Sequence, residues 1–191
     1  MRKTQLLLVC TVVASVLLGT AIAADQGNSQ VIPPDTLKVD YFANANTSGA
    51  PDATLRIINP GSTYATLCAD IYVFDDSQEM SECCSCSLTP DGIRTLSVDK
   101  DLTSNPLTGK TLTHGAIKIV SSMCGDASKL KPTPSMKSWA THIQDSKFTI
   151  TEGESQPAAL SAGEVTALDA GCNAIELEGS GSGICSCGSG G

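Results

Sequence analysis

The chain has 191 residues, of which 41% are hydrophobic and 4% aromatic, and its formal net charge is −8. This length suits one domain with a buried core. An acidic chain repels phosphate backbones, and no basic stripe with interleaved aromatic residues is present, so we expect no nucleic-acid partner.

The N-terminal segment 1–23 has the features of a secretory signal peptide. A basic start, MRK, precedes an uncharged apolar run, and an A-x-A cleavage site ends this run at Ala23. The alternative is a membrane anchor, because the run approaches the length of a transmembrane helix. Cleavage would remove two of the 12 basic residues and none of the 20 acidic ones, which makes the net charge −10. We therefore predict a secreted protein, periplasmic or extracellular, whose mature chain does not span a membrane.

Composition divides the remaining chain into three segments. Residues 24–35 form a polar leader that ends in Pro-Pro and Asp. Residues 36–179 form the predicted domain, which is β-rich and ends in a helix. Residues 180–191 form a tail rich in glycine, serine and cysteine, which is flexible by composition.

Short runs with period-two alternation and β-branched residues follow the leader, and turn signals separate them. Such runs predict strands. They are LKVDYFA (37–43), ATLRIIN (53–59), TLCADIYVFD (66–75), IRTLSV (93–98), AIKIVSS (116–122) and, more weakly, SWATHIQ (138–144) and KFTIT (147–151). Strands and turns at this spacing, without alternating helices, predict a mainly β fold, a β-sandwich of immunoglobulin-like or Greek-key type.

One amphipathic helix is predicted near the C-terminus, over residues 160–179. Ser161 and Glu164 form a capping box, and Gly179 supplies a stop signal. Gly171 inside the helix costs about 1 kcal/mol relative to alanine, so the helix is expected to depend on docking. The stripe that would dock consists of Val165, Leu168, Cys172 and Ile175.

Eight cysteines remain after the predicted signal peptide, since Cys10 lies within it. An even number of cysteines in an exported chain predicts disulfides. Close neighbours in sequence would close strained loops, so each cysteine is expected to find a distant partner. The eight predicted disulfide cysteines are Cys68, Cys83, Cys84, Cys86, Cys124, Cys172, Cys185 and Cys187.

One pairing follows from a hairpin hypothesis. If TLCADIYVF and SQEMSECC pair around a tip at Asp75-Asp76, Cys68 lies opposite Cys83, within disulfide range. The later cysteines, Cys172 and the tail pair, would then bond to Cys84, Cys86 or Cys124, or to each other. This arrangement would fasten the helix and the tail to the sheet.

The cysteine clusters CCSC and CSC also have a more specific interpretation, as a soft-metal site or a thiol-redox site. Clustered thiolates suit Cu(I) or Zn(II), and the ligands would be Cys84, Cys86, Cys185 and Cys187. The C-x-C spacing differs from the C-x₂₋₄-C of structural zinc sites, and no C-x-x-C redox motif is present. Disulfides are therefore the preferred interpretation, with no metal or cofactor.

Other side chains suggest no catalytic site. Neither His114 nor His142 has a sequence relation to a serine, cysteine or carboxylate that indicates a triad. Acidic residues gather around the proposed hairpin tip, where they would bind calcium weakly or form a solvated loop. They are Asp75, Asp76, Glu79 and Glu82.

Two segments carry a resemblance to other proteins. QEMSECCSC, followed by TPDGIRTLSVDKDLTSNPLTG, and GSGSGICSC near the C-terminus resemble motifs of a group of secreted bacterial proteins with no assigned activity. The resemblance implies export and no catalytic residue. We therefore expect a secreted, non-catalytic structural or interaction module of the envelope or the medium, whose partner would be an envelope or extracellular protein.

Overall fold

The structure, a computed structural model, describes residues 32–103, 111–124, 130–177 and 185–188. The predicted signal peptide and most of the predicted leader lie outside these residues. The strands in them are β1 (Leu37–Phe42), β2 (Thr54–Ile58), β3 (Leu67–Asp75), β4 (Met80–Leu88), β5 (Ile93–Ser97), β6 (Gly115–Met123), β7 (Lys137–Gln144), β8 (Thr149–Glu154) and β9 (Gln156–Ala158). A single π-helical turn, Val98–Leu102, follows β5, and helix α1 (Ala162–Leu177) follows β9.

The strands form two antiparallel sheets that pack as a sandwich. The five-stranded sheet has the order β4-β3-β6-β1-β9, and the four-stranded sheet has the order β5-β2-β7-β8. The predicted mainly β sandwich with a C-terminal helix is confirmed. Sequence patterns missed β9 and placed β8 two residues too early.

The core lies between the two sheets, and strand alternation explains its composition. Every second residue of β3, from Leu67 to Val73, is fully buried against the other sheet, where Leu55 and Ile57 of β2 are fully buried as well. Burying one such side chain stabilises the fold by about 1.5–3 kcal/mol.

Helix α1 covers the outer face of the five-stranded sheet. Its Leu168 is buried in a second apolar cluster with Tyr72, Cys83 and Val120 of the sheet. A Cβ at Gly171 would come within 2.8 Å of the Met80 side chain. An alanine at this position would therefore require the flexible end of the Met80 side chain to move.

The predicted N-terminal cap of α1 is half confirmed. The Ser161 hydroxyl accepts a hydrogen bond from the backbone N–H of Glu164, at 3.1 Å. The Glu164 carboxylate bonds to Lys118 of β6 instead of returning to the cap. The predicted stop at Gly179 lies outside the described residues.

The sandwich has two lateral edges that the chain closes differently. β4 and β5 form one edge, called here the tail-side edge, because residues 185–188 run along it. β8 and β9 form the other edge, called here the crossover edge. Ser155, between these two strands, is where the chain passes from one sheet to the other.

Candidate functional site

The sequence CCSC lies in β4, where strand alternation sends its cysteines to different faces. Cys83 lies on the outer face, in the cluster beneath helix α1. Cys84 and Cys86 lie on the opposite face, against the sandwich core. Successive strand residues point to opposite faces, so adjacent cysteines need two different partners.

All eight predicted cysteines are disulfide-bonded, which confirms the prediction of disulfides. The Cα–Cα distances of the four bridges lie between 5.0 and 5.7 Å, which is ordinary for disulfides. The bridges are Cys68–Cys124, Cys83–Cys172, Cys84–Cys185 and Cys86–Cys187. The last two are called here the tail clamp.

The predicted Cys68–Cys83 bridge is wrong, because the hairpin turn lies further along the chain than expected. The Asp75 N–H donates to the Glu79 carbonyl at 3.0 Å, and the Asp75 carboxylate accepts bonds from backbone N–H groups inside the turn. This register brings Ser87 opposite Cys68. The partner Cys124 follows β6, which lies on the other side of β3.

The tail runs along the tail-side edge and contacts both sheets. Cys185 N–H donates to the Cys83 carbonyl at 3.0 Å, and Ser186 N–H donates to the Asp101 carbonyl at 3.0 Å. Gly188 has a φ of +62°, and a Cβ there would lie 2.7 Å from the Thr95 carbonyl oxygen. Because Cys84 and Cys86 bond to Cys185 and Cys187 in the same order, the tail runs parallel to β4.

Three of the four candidate metal ligands of the sequence analysis are brought together in one group, and the fourth, Cys185, is bonded to one of them. The sulfur atoms of Cys84, Cys86 and Cys187 all lie within 4.8 Å of one another, and those of Cys84 and Cys86 are 3.8 Å apart. Cys185 joins them through its bond to Cys84. While the bridges are intact, these atoms are disulfide sulfurs rather than thiolates, and the thiolate is the metal ligand.

A buried carboxyl group lies on the same strand as the tail clamp. Glu82 is 1% exposed, and among the described residues its Oε1 has no hydrogen-bond partner. Burial raises the pKa of Glu82 to about 7. Strand alternation places Glu82, Cys84 and Cys86 on the same face of β4.

At the crossover edge, Asp40 of β1 is the centre of a buried hydrogen-bond network. Its two oxygen atoms lie 2.5 Å from His142 Nε2 and 2.7 Å from the Ser155 hydroxyl, which donates to it. The His142 ring stacks on Tyr41, with 4.3 Å between ring centroids. The serine bonds to the aspartate rather than to the histidine, so the three residues do not have the connectivity of a catalytic triad.

His114 also has a carboxylate partner, on the surface. His114 Nε2 lies 2.9 Å from Asp76, and its Nδ1 lies 2.9 Å from the Thr113 hydroxyl. The side chains of His114 and Asp76 are more than half exposed, and water competes with an exposed pair of this kind. Sequence reasoning missed both histidine–aspartate pairs because the partners are 102 and 38 residues apart.

The acidic residues near the hairpin tip do not form one cluster. Asp75 is buried and accepts bonds from the N–H groups of Ser77 and Glu79. Glu82 is buried, with its strand face toward the core, whereas Asp76 binds His114 on the surface. These carboxylates therefore do not form the ligand set of the hypothesised weak calcium site at the tip.

Two further carboxyl groups lie between the five-stranded sheet and helix α1. Asp70 of β3 is buried and accepts a bond from the Ser122 hydroxyl. Burial raises the pKa of Asp70 and of Asp169 on α1, and the charge of Asp169 raises that of Asp70 further. These groups lie in the helix–sheet interface, on the opposite face of the sheet from the tail clamp.

A cavity of about 410 Å³ lies beside the first turns of α1, away from the cysteine site. Its apolar walls come from Ile32, Leu130, Pro132 and Val165. None of the cysteines or histidines considered above lines this cavity.

Comparisons with known protein families, curated proteins and solved structures gave no match. The resemblance to secreted bacterial proteins therefore stays a prediction, and the site is interpreted from its own geometry. Among the described residues, no helix is long and apolar enough to cross a membrane.

Proposed function

We propose that this protein is a secreted, non-catalytic structural or interaction module that acts in the cell envelope or the extracellular medium. One observation carries the proposal. Every cysteine that follows the predicted signal peptide belongs to a disulfide, and the four bridges join the five-stranded sheet to the residue after β6, to helix α1 and to the tail. Disulfides of this number persist in oxidising compartments.

The buried network around Asp40 also supports a role other than catalysis. The Asp40 oxygen atoms are both engaged in bonds between β1, β7 and the crossover residue Ser155. Such bonds satisfy buried polar groups and fix the position of strands. The interaction partner that we propose is another protein of the envelope or the medium.

The first test is the state of the exported protein. Protein purified from the exported fraction of its host should begin at Ala24 and should contain no free thiol. Alkylation should add eight labels after reduction and none before it, measured by intact mass. The C68S/C124S variant is the matched control and should accept six labels after reduction.

Two outcomes would contradict the proposal. One is a protein that keeps residues 1–23 in a membrane fraction, which would indicate an anchor. The other is an exported protein whose cysteines react without reduction. Cross-linking in intact cells then tests the interaction role, and a cross-link to a second exported protein is expected.

A further inference from the structure

The tail clamp concentrates sulfur at one point of the tail-side edge. Cys84 and Cys86 present their sulfur atoms 3.8 Å apart on one face of β4. The Cys187 sulfur lies within 4.8 Å of both, and Cys185 is bonded to Cys84. Three sulfur atoms therefore form one compact cluster, and the fourth, of Cys185, is attached to it through Cys84.

These distances are close to those of a tetrahedral metal–thiolate site. Two sulfur atoms that bind one zinc ion at about 2.3 Å lie about 3.8 Å from each other. The Cys84 and Cys86 sulfur atoms already have this separation. To form such a site, each bonded pair would have to separate by about 1.7 Å, and the Cys185 sulfur would have to move closer to those of Cys86 and Cys187.

We propose that the tail clamp has a second, reduced state in which Cys84, Cys86, Cys185 and Cys187 bind one soft metal ion, Zn²⁺ or Cu⁺. This inference goes beyond the structural role proposed above, because it gives the clamp a ligand. The tail would stay attached to β4 in both states, through two covalent bonds in one and through the metal ion in the other.

The change of state needs a dithiol reductant. Each disulfide accepts two electrons and two protons from one dithiol molecule, which becomes a disulfide itself. Two dithiol molecules thus convert the tail clamp into four thiols. Binding of Zn²⁺ by four thiolates then releases four protons, so the affinity falls as the pH falls.

The fold explains why C-x-C pairs can act as metal ligands here, although zinc sites in loops use wider cysteine spacing. On an extended strand, residues i and i+2 point to the same face, so a C-x-C segment offers two ligands to one ion. The backbone bond from Cys185 to Cys83 holds the tail parallel to β4, in register with it. Cys83 points to the other face and bonds to Cys172, so it is not part of this set.

The test compares three proteins after complete anaerobic reduction by a dithiol and its removal. They are the mature wild type, C185S/C187S and C68S/C124S. The two variants have equal numbers of thiols, but one lacks two proposed ligands. Zn²⁺ is titrated against a chromophoric chelator, and Co²⁺ is used as a spectroscopic probe of tetrahedral thiolate binding.

We expect the wild type and C68S/C124S to bind one Zn²⁺ per chain and C185S/C187S to lose this binding. The Co²⁺ absorption of a tetrahedral thiolate site should appear in the first two proteins and be lost in the third. Equal stoichiometric binding by C185S/C187S would overturn the proposal, as would the absence of binding in all three.

Circular dichroism covers the case in which reduction unfolds the chain. One equivalent of Zn²⁺ should then restore the β signal of the wild type and of C68S/C124S but not of C185S/C187S. A wild type that stays unfolded at saturating Zn²⁺ would overturn the metal site. That result would leave the proposed extracellular role intact, because the role depends on the oxidised protein.

Discussion

The two lateral edges of the sandwich are closed by different means. At the crossover edge the chain itself passes from β8 to β9, and the buried Asp40 bonds to the crossover residue Ser155 and to His142. At the tail-side edge the closing segment comes from residues 185–188, and two disulfides hold it to β4.

The difference follows from the distance along the chain. A crossover of one residue has little entropy to lose, so hydrogen bonds suffice to hold it. Each bridge of the tail clamp joins residues that are 101 positions apart, and the loss of chain entropy in bringing such segments together is large. A glycine- and serine-rich segment has few apolar groups to offset this loss, so covalent bonds are needed.

The largest effect is expected from removing the whole tail clamp. Because the Cys83–Cys172 bridge stays intact, the first bridge of the clamp closes a loop of about 15 residues, which contributes about 3 kcal/mol in the chain-entropy model, and the second closes a loop of about six residues worth about 2 kcal/mol. The variant C84S/C86S/C185S/C187S should therefore lose about 5 kcal/mol of unfolding free energy. Removal of either bridge alone, as in C86S/C187S, should cost about 2 kcal/mol. Denaturant titration of the fourfold variant, C84S/C185S and C86S/C187S measures these values.

Single-bridge losses that add up to the full loss of the fourfold variant would contradict this view of the clamp as one unit. The matched control is C68S/C124S, whose bridge spans 56 residues on the opposite face of the sheet. Its loss should cost about 4 kcal/mol and should leave the tail attached, which limited proteolysis of the folded variant can verify.

At the crossover edge, Asp40→Ala should be the most damaging single substitution. It leaves His142 and Ser155 without their acceptor in a buried site, and we expect a loss of about 3 kcal/mol. The control is Asp76→Ala, which breaks the exposed pair with His114 and should cost less than about 1 kcal/mol. Similar losses in the two variants, measured by thermal and denaturant unfolding, would show that Asp40 does not secure this edge.

Each edge contains a buried carboxyl group, and the two groups differ in their hydrogen bonding. This difference predicts that the stability of the fold depends on pH. Asp40 is bonded through both oxygen atoms. Glu82 at the tail side has a pKa raised from 4.5 to about 7, so the folded protein keeps a proton that the unfolded chain releases. The contribution of Glu82 to the free energy of unfolding is therefore fully present below pH 4.5 and is lost as the pH rises through about 7.

Replacement of Glu82 by glutamine should remove this dependence and stabilise the protein at pH 8 by about 2 kcal/mol. This expected stabilisation is smaller than the free energy that corresponds to the full pKa shift, because water near the sheet edge screens part of the charge. The measurement is the unfolding free energy of wild type and E82Q at pH 5 and pH 8. Parallel pH profiles of the two proteins would refute the assignment to Glu82.

The smallest effect concerns helix α1, which a bridge also ties to the tail-side strand β4. Loss of the capping hydroxyl in Ser161→Ala should cost about 1 kcal/mol. The same substitution in a C83S/C172S background should cost at least as much, because the cap then acts without the bridge. A cost near zero in both backgrounds would mean that packing of Leu168 alone positions the helix.

Much of the fold could be predicted from local patterns. Alternation in TLCADIYVFD predicted a strand that is observed as β3, and the cap at Ser161 predicted the start of α1 within one residue. These features depend on neighbours in the sequence, where propensity and periodicity act directly. β9 escaped prediction because three residues that include a proline give too short a pattern.

The disulfide partners, too, could be predicted from the sequence only in part. Strand alternation in CCSC implies that Cys83 and Cys84 point to opposite faces, and the parallel match of two C-x-C segments was available from the sequence as a possibility. The hairpin register could not be predicted in this way. Because the turn begins at Asp75 and ends at Glu79, the residue opposite Cys68 is Ser87 instead of Cys83. A shift of a few residues in a turn changes which side chains meet across the sheet.

By itself the sequence determined the class of this protein, a cysteine-rich β domain with one capped helix, because alternation, turn residues and capping act over a few residues. The tertiary structure alone decided that Asp40 meets His142 and Ser155, that Cys83 meets the helix, and that the tail closes the β4–β5 edge. These contacts join residues up to 115 positions apart. They form because packing two sheets brings distant segments to the same edge, which no local pattern encodes.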